Sequence, residues 1–500
     1  MTRPFPLRLP GNVGSLSLAP DAVSLLLGLL PLFLTAHLPL SDLPNHLARQ
    51  YIIRDISTSP ILQKFYFVHW QLVPNLALEL FVILTRSIFG IQLSVRLFCI
   101  LSLVMIFVGV RWISHSLGHR DSRIYLASPI LFYGGPFQFG FLSFCFGIGM
   151  SLWLFGFYIS RRRGLGSSAV LIVVGFCLLL CHIAAFGLFC VAVAGYETGL
   201  LVDDWVARNI RPTLPSILSA AGFMAFDLGL PALTFFLLAP AQNVSLFFVD
   251  WGTWRSKAEA VLAVTLFSAP ICEIGLLAVA LLAVFAGLAL GAVRADRRCL
   301  PMLAMLALVF MVMPRNAWGG GYIDYRIPWA ASLYFLASLH PGLQRPRFAQ
   351  LLAALAAALY ITRVATISIL WLQWEPVIAG IDTAFAKLPL GAKLMVVRGD
   401  PGSICVSRRP SLLHVAAYAA VRRQAFEPQL YASLRGQILY FQPYYRVLWR
   451  LTAPKELDSV APDYDHVLVL RPRFAEVAPE LPLTLITSGK EFELFRVGRL

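Results

Sequence analysis

LAPDAVSLLLGLLPLFLTAHLPLSDLPNHLARQYIIR, Leu18 to Arg54, is the stretch whose reading sets the fold. Its first part, Leu18 to Leu40, is an apolar run of about the 20 residues that cross a ~30 Å hydrocarbon layer. An acidic residue, Asp42, therefore lies at the membrane surface. The remainder reads as a short amphipathic helix lying along the bilayer. Pro44 suits a first helical position, and Leu47, Tyr51 and Ile52 recur at helical spacing against Asn45, Arg49 and Arg54. The opening run is too long for the core of a secretory signal and no small-residue cleavage site follows it, so it reads as a retained span.

Composition agrees. In 500 residues, 58% hydrophobic and 13% charged with mean hydropathy +0.73, a soluble domain is excluded and a polytopic membrane protein is implied. The formal charge of +15 invites a nucleic-acid reading. Yet Lys and Arg fall in short clusters between apolar runs, which is membrane topology, so the expected partner is a lipid bilayer and not nucleic acid. Seven cysteines (Cys99, Cys145, Cys177, Cys181, Cys190, Cys272, Cys299) lie in or beside apolar runs and Cys405 stands alone, which predicts neither a disulfide framework nor a metal cluster.

The fold class expected is mainly α: a polytopic helical bundle of about 11 spans. The runs are 18–40, 91–111, 124–134, 141–160, 167–182, 184–202, 215–238, 271–292, 299–314, 327–340 and 349–371, with 75–89 as a surface helix. If the N-terminus is cytoplasmic, the inner loops carry Arg111, Arg120 and Arg123, then Arg161 to Arg163, Arg208 and Arg211, Arg294, Arg297 and Arg298, and Arg345 and Arg347. The outer loops carry few cations, so the first loop (41–75) and the tail are placed outside. From about 375 short β-rich runs appear, at 393–397, 466–470, 483–486 and 492–497, with a helix near 412–423. These predict a membrane domain over 1–374 and a small α/β domain over 375–500.

Candidate chemistry centres on Asp42. Two readings stand: Ser41 and Asp42 cap the following helix, or a partly desolvated Asp42 acts as a general base. His46 lies four residues on, as a surface residue or an acceptor contact. The loop PRNAWGGGYIDYRIP, 314–328, sets three glycines beside Asp324, Tyr325 and Arg326, either a salt-bridged turn or a site where Arg326 or Arg315 pairs phosphate oxygens. The loop 240–257 carries Asp250, Trp251, Trp254, Arg255 and Lys257, an aromatic belt facing lipid phosphates or a binding loop. Ionisable residues inside apolar runs, His182, Asp227 and Glu273, are costly there; His182 falls at the same end as Asp42, and Asp227 reads equally as a packing group. No GxSxG, Walker A or HExxH pattern occurs.

With these residues in view, the chain resembles the GT-C superfamily of integral-membrane glycosyltransferases, near aminoarabinose transferase and the protein O-mannosyltransferases. The resemblance rests on layout over most of the first 370 residues: one span, an outer loop opening with Asp42, a bundle and an outer tail. Local echoes are SVRLFCILS (94–102), YGGPFQFGFLSF (133–144) and LLHVAAYAAVRRQAF (412–426). It implies a bacterial inner-membrane enzyme with a periplasmic tail. Such an enzyme moves a sugar from a polyprenyl-phosphate donor to a glycan, lipid or protein acceptor, with Asp42 as base by position. The departing phosphate then calls for Arg, Lys or a divalent ion, and loop placement offers Arg326, Arg315 or Lys257. Two departures stand out. Leu43 follows Asp42 where relatives carry a second acid, and 134–140 holds no carboxylate, so Asp250 or Asp324 substitutes or the fold is kept without the activity. The competing readings are a transporter or flippase for a lipid-linked or anionic solute, which calls for inverted repeats, and a non-catalytic assembly subunit.

Overall fold

The computed structural model describes residues 18–161, 163–239, 249–265, 270–317, 320–342, 345–398, 412–432, 437–447, 463–471 and 482–498. The opening apolar run forms two helices, α1 (Leu18–Leu29) and α2 (Pro31–Leu34), with Pro31 starting the second. Ser41 and Asp42 turn the chain into α3 (Leu43–Asp55), and α4 (Pro60–Phe65) and β1 (Tyr66–Val68) complete the first loop. The segment 75–89, expected as a separate surface helix, is joined to the second run in α5 (Ala77–Ser116). Gly90, at φ 72° and ψ 167°, interrupts the helix where only glycine sits without strain.

The run 124–134 departs from expectation. Residues Ile124–Leu131 form a 3-10 stretch containing Pro129, and at ~2 Å per residue its reach is about half the hydrocarbon thickness. Ser128 and Pro129 are buried, so this irregular backbone is enclosed by protein, the condition for its presence at membrane depth. One short turn, α6 (Gly135–Phe139), follows. The bundle continues with α7 (Leu142–Ser160), α8 (Leu165–Cys181), α9 (Ile183–Arg208), α10 (Leu214–Leu238), α11 (Trp254–Leu262) and α12 (Pro270–Ala289). After β2 (Val293–Ala295) come α13 (Leu300–Val312), α14 (Ile323–Ser338), β3 (Leu339–Pro341) and α15 (Pro346–Ala384).

Among the described residues five helices, α5, α7, α9, α10 and α15, are long and apolar enough to cross a membrane; stretches of α1, α8 and α12 are apolar but shorter. That is fewer than the number expected, because runs such as 299–314 and 327–340 yield helices of 13 and 16 residues, below the ~17 that cross alone. Close packing holds the bundle together. Gly195 and Gly199 on α9 meet the 298–302 backbone so closely that added Cβ atoms would lie 2.3 Å from Met302 Cα and 1.9 Å from the Arg298 carbonyl oxygen.

The tail contributes β4 (Leu394–Arg398), α16 (Tyr418–Arg423), β5 (Leu439–Phe441), α17 (Pro443–Val447), β6 (His466–Leu470), β7 (Leu483–Gly489) and β8 (Phe492–Val497). Four of its strands form one sheet in the order β4-β6-β8-β7, with β4 parallel to β6 and the other neighbours antiparallel. The line between 374 and 375 falls inside α15, which runs on to Ala384. The tail also shares its structure with the first loop. Strand β1 pairs with β5, Tyr66 opposite Phe441, and Ile52, Leu62 and Phe65 share an apolar core with Met395 and Phe426. One layer at this end of the bundle is thus built from two stretches far apart in sequence.

Helix α3 is the joint between that layer and the bundle, and this corrects its reading as a helix on the bilayer surface. Asn45, Arg49 and Gln50 are buried, and α3 packs against both α5 and α16. Arg49 Nη2 donates to Glu79 Oε1 on α5 at 2.5 Å, with both side chains nearly inaccessible. Helical periodicity separates two faces but does not say whether the polar one meets water or a partner. Removing one member of a buried pair strands the other charge at about 3–5 kcal/mol. Arg49→Met is therefore expected to lower thermal stability in detergent sharply, and Arg49→Met with Glu79→Leu to recover most of the loss; equal loss in both variants would show that the pair does not hold the joint.

A buried carboxylate at the start of α3

The loop 134–140 fixes the α3 N-terminus. Ser41 N–H donates to the Gln138 carbonyl at 3.1 Å and Asp42 N–H to that of Phe139 at 2.9 Å. Gly140 ends α6 at φ 85°, and a Cβ there would lie 3.0 Å from Asp42 N and 3.1 Å from Asp42 Cβ. His46 completes the clamp, with Nε2 donating to the Gly140 carbonyl at 3.1 Å. Burial, then the Arg49 charge, hold its imidazole down to about 3, so it is neutral.

Asp42 occupies the N-cap position of α3, yet its carboxylate makes no capping hydrogen bond. The capping reading therefore fails. Oδ1 instead accepts the Tyr431 hydroxyl at 3.0 Å, and His414 Nε2 lies 3.5 Å from that oxygen and 3.1 Å from Tyr431 Oη. Among the described residues none donates to Oδ2. A tyrosine has one proton to give. With Asp42 ionised that proton goes to Oδ1, so His414 is the Nε2–H tautomer and Nδ1 is a buried acceptor without a hydrogen bond.

Asp42 is 5% exposed, and the electrostatics follow from that. Burial pushes its carboxyl up to about 7, while the Tyr431 hydrogen bond and the Arg326 charge pull the other way. Burial likewise holds His414 well below the ordinary imidazole range, with Arg398 and His46 adding to it, so the triad carries no imidazolium at neutral pH.

Arg326 belongs to the first turn of α14, not to a loop. Its guanidinium lies 4.3 Å from the Phe141 ring centroid and 5.8 Å from that of Phe144, and Nη1 donates to the Gly321 carbonyl at 3.0 Å. Nε is buried without a hydrogen bond. Ring faces stabilise the cation without neutralising it.

The structure turns the other candidates to other partners. Asp324, fully buried on α14, faces Lys257 Nζ at 3.5 Å, and that ammonium also donates to the carbonyls of Phe310 at 3.1 Å and Met313 at 2.5 Å. Arg315 lies 3.7 Å from Glu259 and over the rings of Tyr322 and Tyr325. Asp250 closes a turn by accepting from Gly252 N–H and from Asn316 Nδ2, each at 2.8 Å. No second carboxylate joins Asp42 from either residue. His182 caps α9, Nδ1 accepting from Ala184 N–H at 3.1 Å. Asp227 pairs with Arg161 at 3.0 Å, and Glu273 with Arg363. Among the described residues no three His, Cys, Asp or Glu gather as a ligand set for a metal ion. Sequence reasoning missed His414 and Tyr431. The echo 412–426 contains His414, but nothing in its spacing points at Asp42.

No family model matches the sequence, and no curated protein matches it. Two solved structures do: ArnT from Cupriavidus metallidurans in the apo state, TM-score 0.50, and the same protein bound to undecaprenyl phosphate, TM-score 0.51. The chain has an ArnT-like fold. Each match covers 96% of this chain and 97% of ArnT at 11% identity, so the likeness is one of fold along nearly the whole length.

A carboxyl raised by burial binds its proton more tightly in the folded state than in the unfolded chain, where it titrates near 3.8. Its stabilising contribution is present below about pH 4 and is lost as pH rises through about 7. Asp42→Asn is expected to match wild-type stability near pH 4 and to exceed it by up to roughly 4 kcal/mol at pH 8. Unfolding midpoints in detergent across that range check this, and a pH-independent difference would refute it.

Proposed function

We propose that the chain is a membrane glycosyltransferase that moves a sugar from a polyprenyl-phosphate donor to a hydroxyl of an envelope glycan, lipid or protein, on the periplasmic face of a bacterial inner membrane. One observation carries the reading: a carboxylate at a helix N-cap that does not cap, buried at the end of a bundle with an ArnT-like fold. Such a group destabilises the fold at neutral pH, a pattern of sites shaped for chemistry.

The chemistry is a displacement at the anomeric carbon. The acceptor oxygen forms the new bond to that carbon, Asp42 takes the hydroxyl proton, and the bond to the phosphate oxygen breaks with its electron pair leaving on the polyprenyl phosphate. Arg326, a half-buried cation held over aromatic rings, is suited to meet the phosphate charge. A cavity of about 260 Å³ supports a lipid donor: Leu43 and Leu47 of α3, Leu38, Leu93, His37 and Arg96 are among its lining residues. Leu93 is 44% exposed and its α5 neighbours Ile88 and Phe89 are exposed too, so the cavity adjoins an apolar outer face. One of the two similar ArnT structures is bound to undecaprenyl phosphate, a ligand of this class. The ion pairs inside the bundle, Arg161 with Asp227 and Arg363 with Glu273, are closed on one another, which supports transfer at one end over transport through the middle.

Purified protein incubated with a panel of polyprenyl-phosphate sugars and acceptor lipids tests the proposal. Turnover is expected for wild type, with an acidic limb of kcat/KM near pH 7 and not near pH 4, and Asp42→Asn is expected to lose at least ~100-fold. Undiminished turnover in Asp42→Asn would remove Asp42 from the mechanism.

A further inference from the structure

The proposed base leaves Tyr431 and His414 unexplained. Both come from the tail and both lie against the carboxylate, His414 buried and Tyr431 half-buried. We propose that Tyr431 and His414 are the positioning residues of Asp42, a hydrogen-bonded chain from the outer layer that occupies Oδ1 and presents Oδ2 to the acceptor hydroxyl. This rests on the function proposed above.

Geometry carries it first. Tyr431 is tied to α3 twice, through its backbone N–H to Asn45 Oδ1 at 3.3 Å and through its hydroxyl to Asp42 at 3.0 Å. The His414 ring stands edge-on to the Tyr431 ring, centroids 5.0 Å apart, while Nε2 lies 3.1 Å from the phenol oxygen. By donating to that oxygen, neutral His414 polarises the phenol and strengthens its donation to Asp42. Tyr431 thereby has one direction in which to point its proton. With Oδ1 filled, the carboxylate cannot swing round to cap α3, and Oδ2 is the oxygen left for an incoming hydroxyl.

Charge supplies the second reason. The groups facing this carboxylate are Arg326 from α14, Tyr431 and His414 from the tail, and, around the same cluster, His46 and Arg49 from α3 and Arg398 from β4. Of these, the Tyr431 hydroxyl is the one in contact with the carboxylate when His414 is neutral. Burial alone would keep Asp42 protonated at neutral pH, and a protonated acid takes no proton from an acceptor. The phenol hydrogen bond brings the ionised form within reach of the working pH. During transfer the acceptor proton moves to Oδ2, the acceptor oxygen bonds the anomeric carbon and the phosphate leaves with the electron pair; Tyr431 O–H and His414 N–H neither form nor break a covalent bond.

The experiment compares the full-length protein with Tyr431→Phe, His414→Ala and His414→Gln, following steady-state kinetics and infrared titration of the Asp42 carboxyl band, identified by its absence in Asp42→Asn. Tyr431→Phe keeps the ring and the backbone bond to Asn45. A hydrogen bond to a charged group is worth a shift of about one pH unit, so the Asp42 midpoint and the acidic limb should both move up by about that much. Turnover at pH 7 should fall about fivefold, recover towards wild type by pH 9, and leave KM unchanged. His414→Ala should move the midpoint in the same direction by less, and His414→Gln, whose amide keeps a donor near the Nε2 position, should restore it. An equal loss at every pH, or a midpoint unmoved in Tyr431→Phe, would overturn the proposal. If wild type shows no transfer the glycosyltransferase reading falls, whereas the infrared midpoint still decides whether Tyr431 and His414 govern Asp42.

Discussion

Everything at this end of the molecule turns on how one carboxylate is kept out of water. An N-cap aspartate would ordinarily satisfy the free N–H groups of its helix and stay partly hydrated. Asp42 does neither: its oxygen is taken by a phenol from the tail, its backbone N–H by the 134–140 loop, and its charge is opposed by a guanidinium on α14. Three segments must therefore be in register before the site exists. The buried Arg49–Glu79 pair and the β1–β5 ribbon supply that register by locking α3 to the bundle on one side and to the tail on the other.

This arrangement gives the layer formed by the first loop and the tail a role beyond cover. Because the first loop and the tail share a core, a shift of the tail sheet would be felt at Tyr431 and so at Asp42. The aromatic wall made by Phe139, Phe141 and Tyr322 continues from the Asp42 loop to the start of α14, with Phe139 stacked on both neighbours. Arg326 lies over Phe141 in that wall, which keeps it near Asp42 without the two collapsing into a salt bridge. In the proposed reaction, a cation neutralised by Asp42 would be of little use to a phosphate.

What the sequence revealed follows from which forces are local. Apolar runs mark buried or lipid-facing helices because the bilayer leaves the backbone few alternatives, and most runs do fall on helices. The run 124–134 misled because composition cannot tell a span from enclosed irregular backbone; Pro129 was the warning. Four of the tail strands, β4, β6, β7 and β8, are legible from their β-rich runs, whereas β5, which pairs with β1 of the first loop, is not. Asp42 stood out by position at the end of the first run. Its partners could not: Tyr431 is 389 residues away, and no local period links the two. For the same reason α3 read as a surface helix, since Arg49 shows its charge in the sequence but not the Glu79 that meets it on another helix.

Resemblance led to the expectation of a second acid near Asp42, and the structure places a phenol and an imidazole there. The difference has chemical content. A second carboxylate raises the proton affinity of the first by repulsion and invites a cation between them, whereas a phenol lowers that affinity by donation and brings no charge of its own. Asp250 and Asp324 are already engaged by Asn316 and Lys257, so neither is free to turn toward Asp42 without breaking a turn or stranding a buried ammonium. In the proposed reaction a single acid with a neutral donor chain would meet the same need by another route: one oxygen is held still and the other is left for an alcohol. Among the described residues no second carboxylate lies against Asp42, so in the proposed transfer the acceptor would approach an anionic lipid phosphate past one repelling group rather than two.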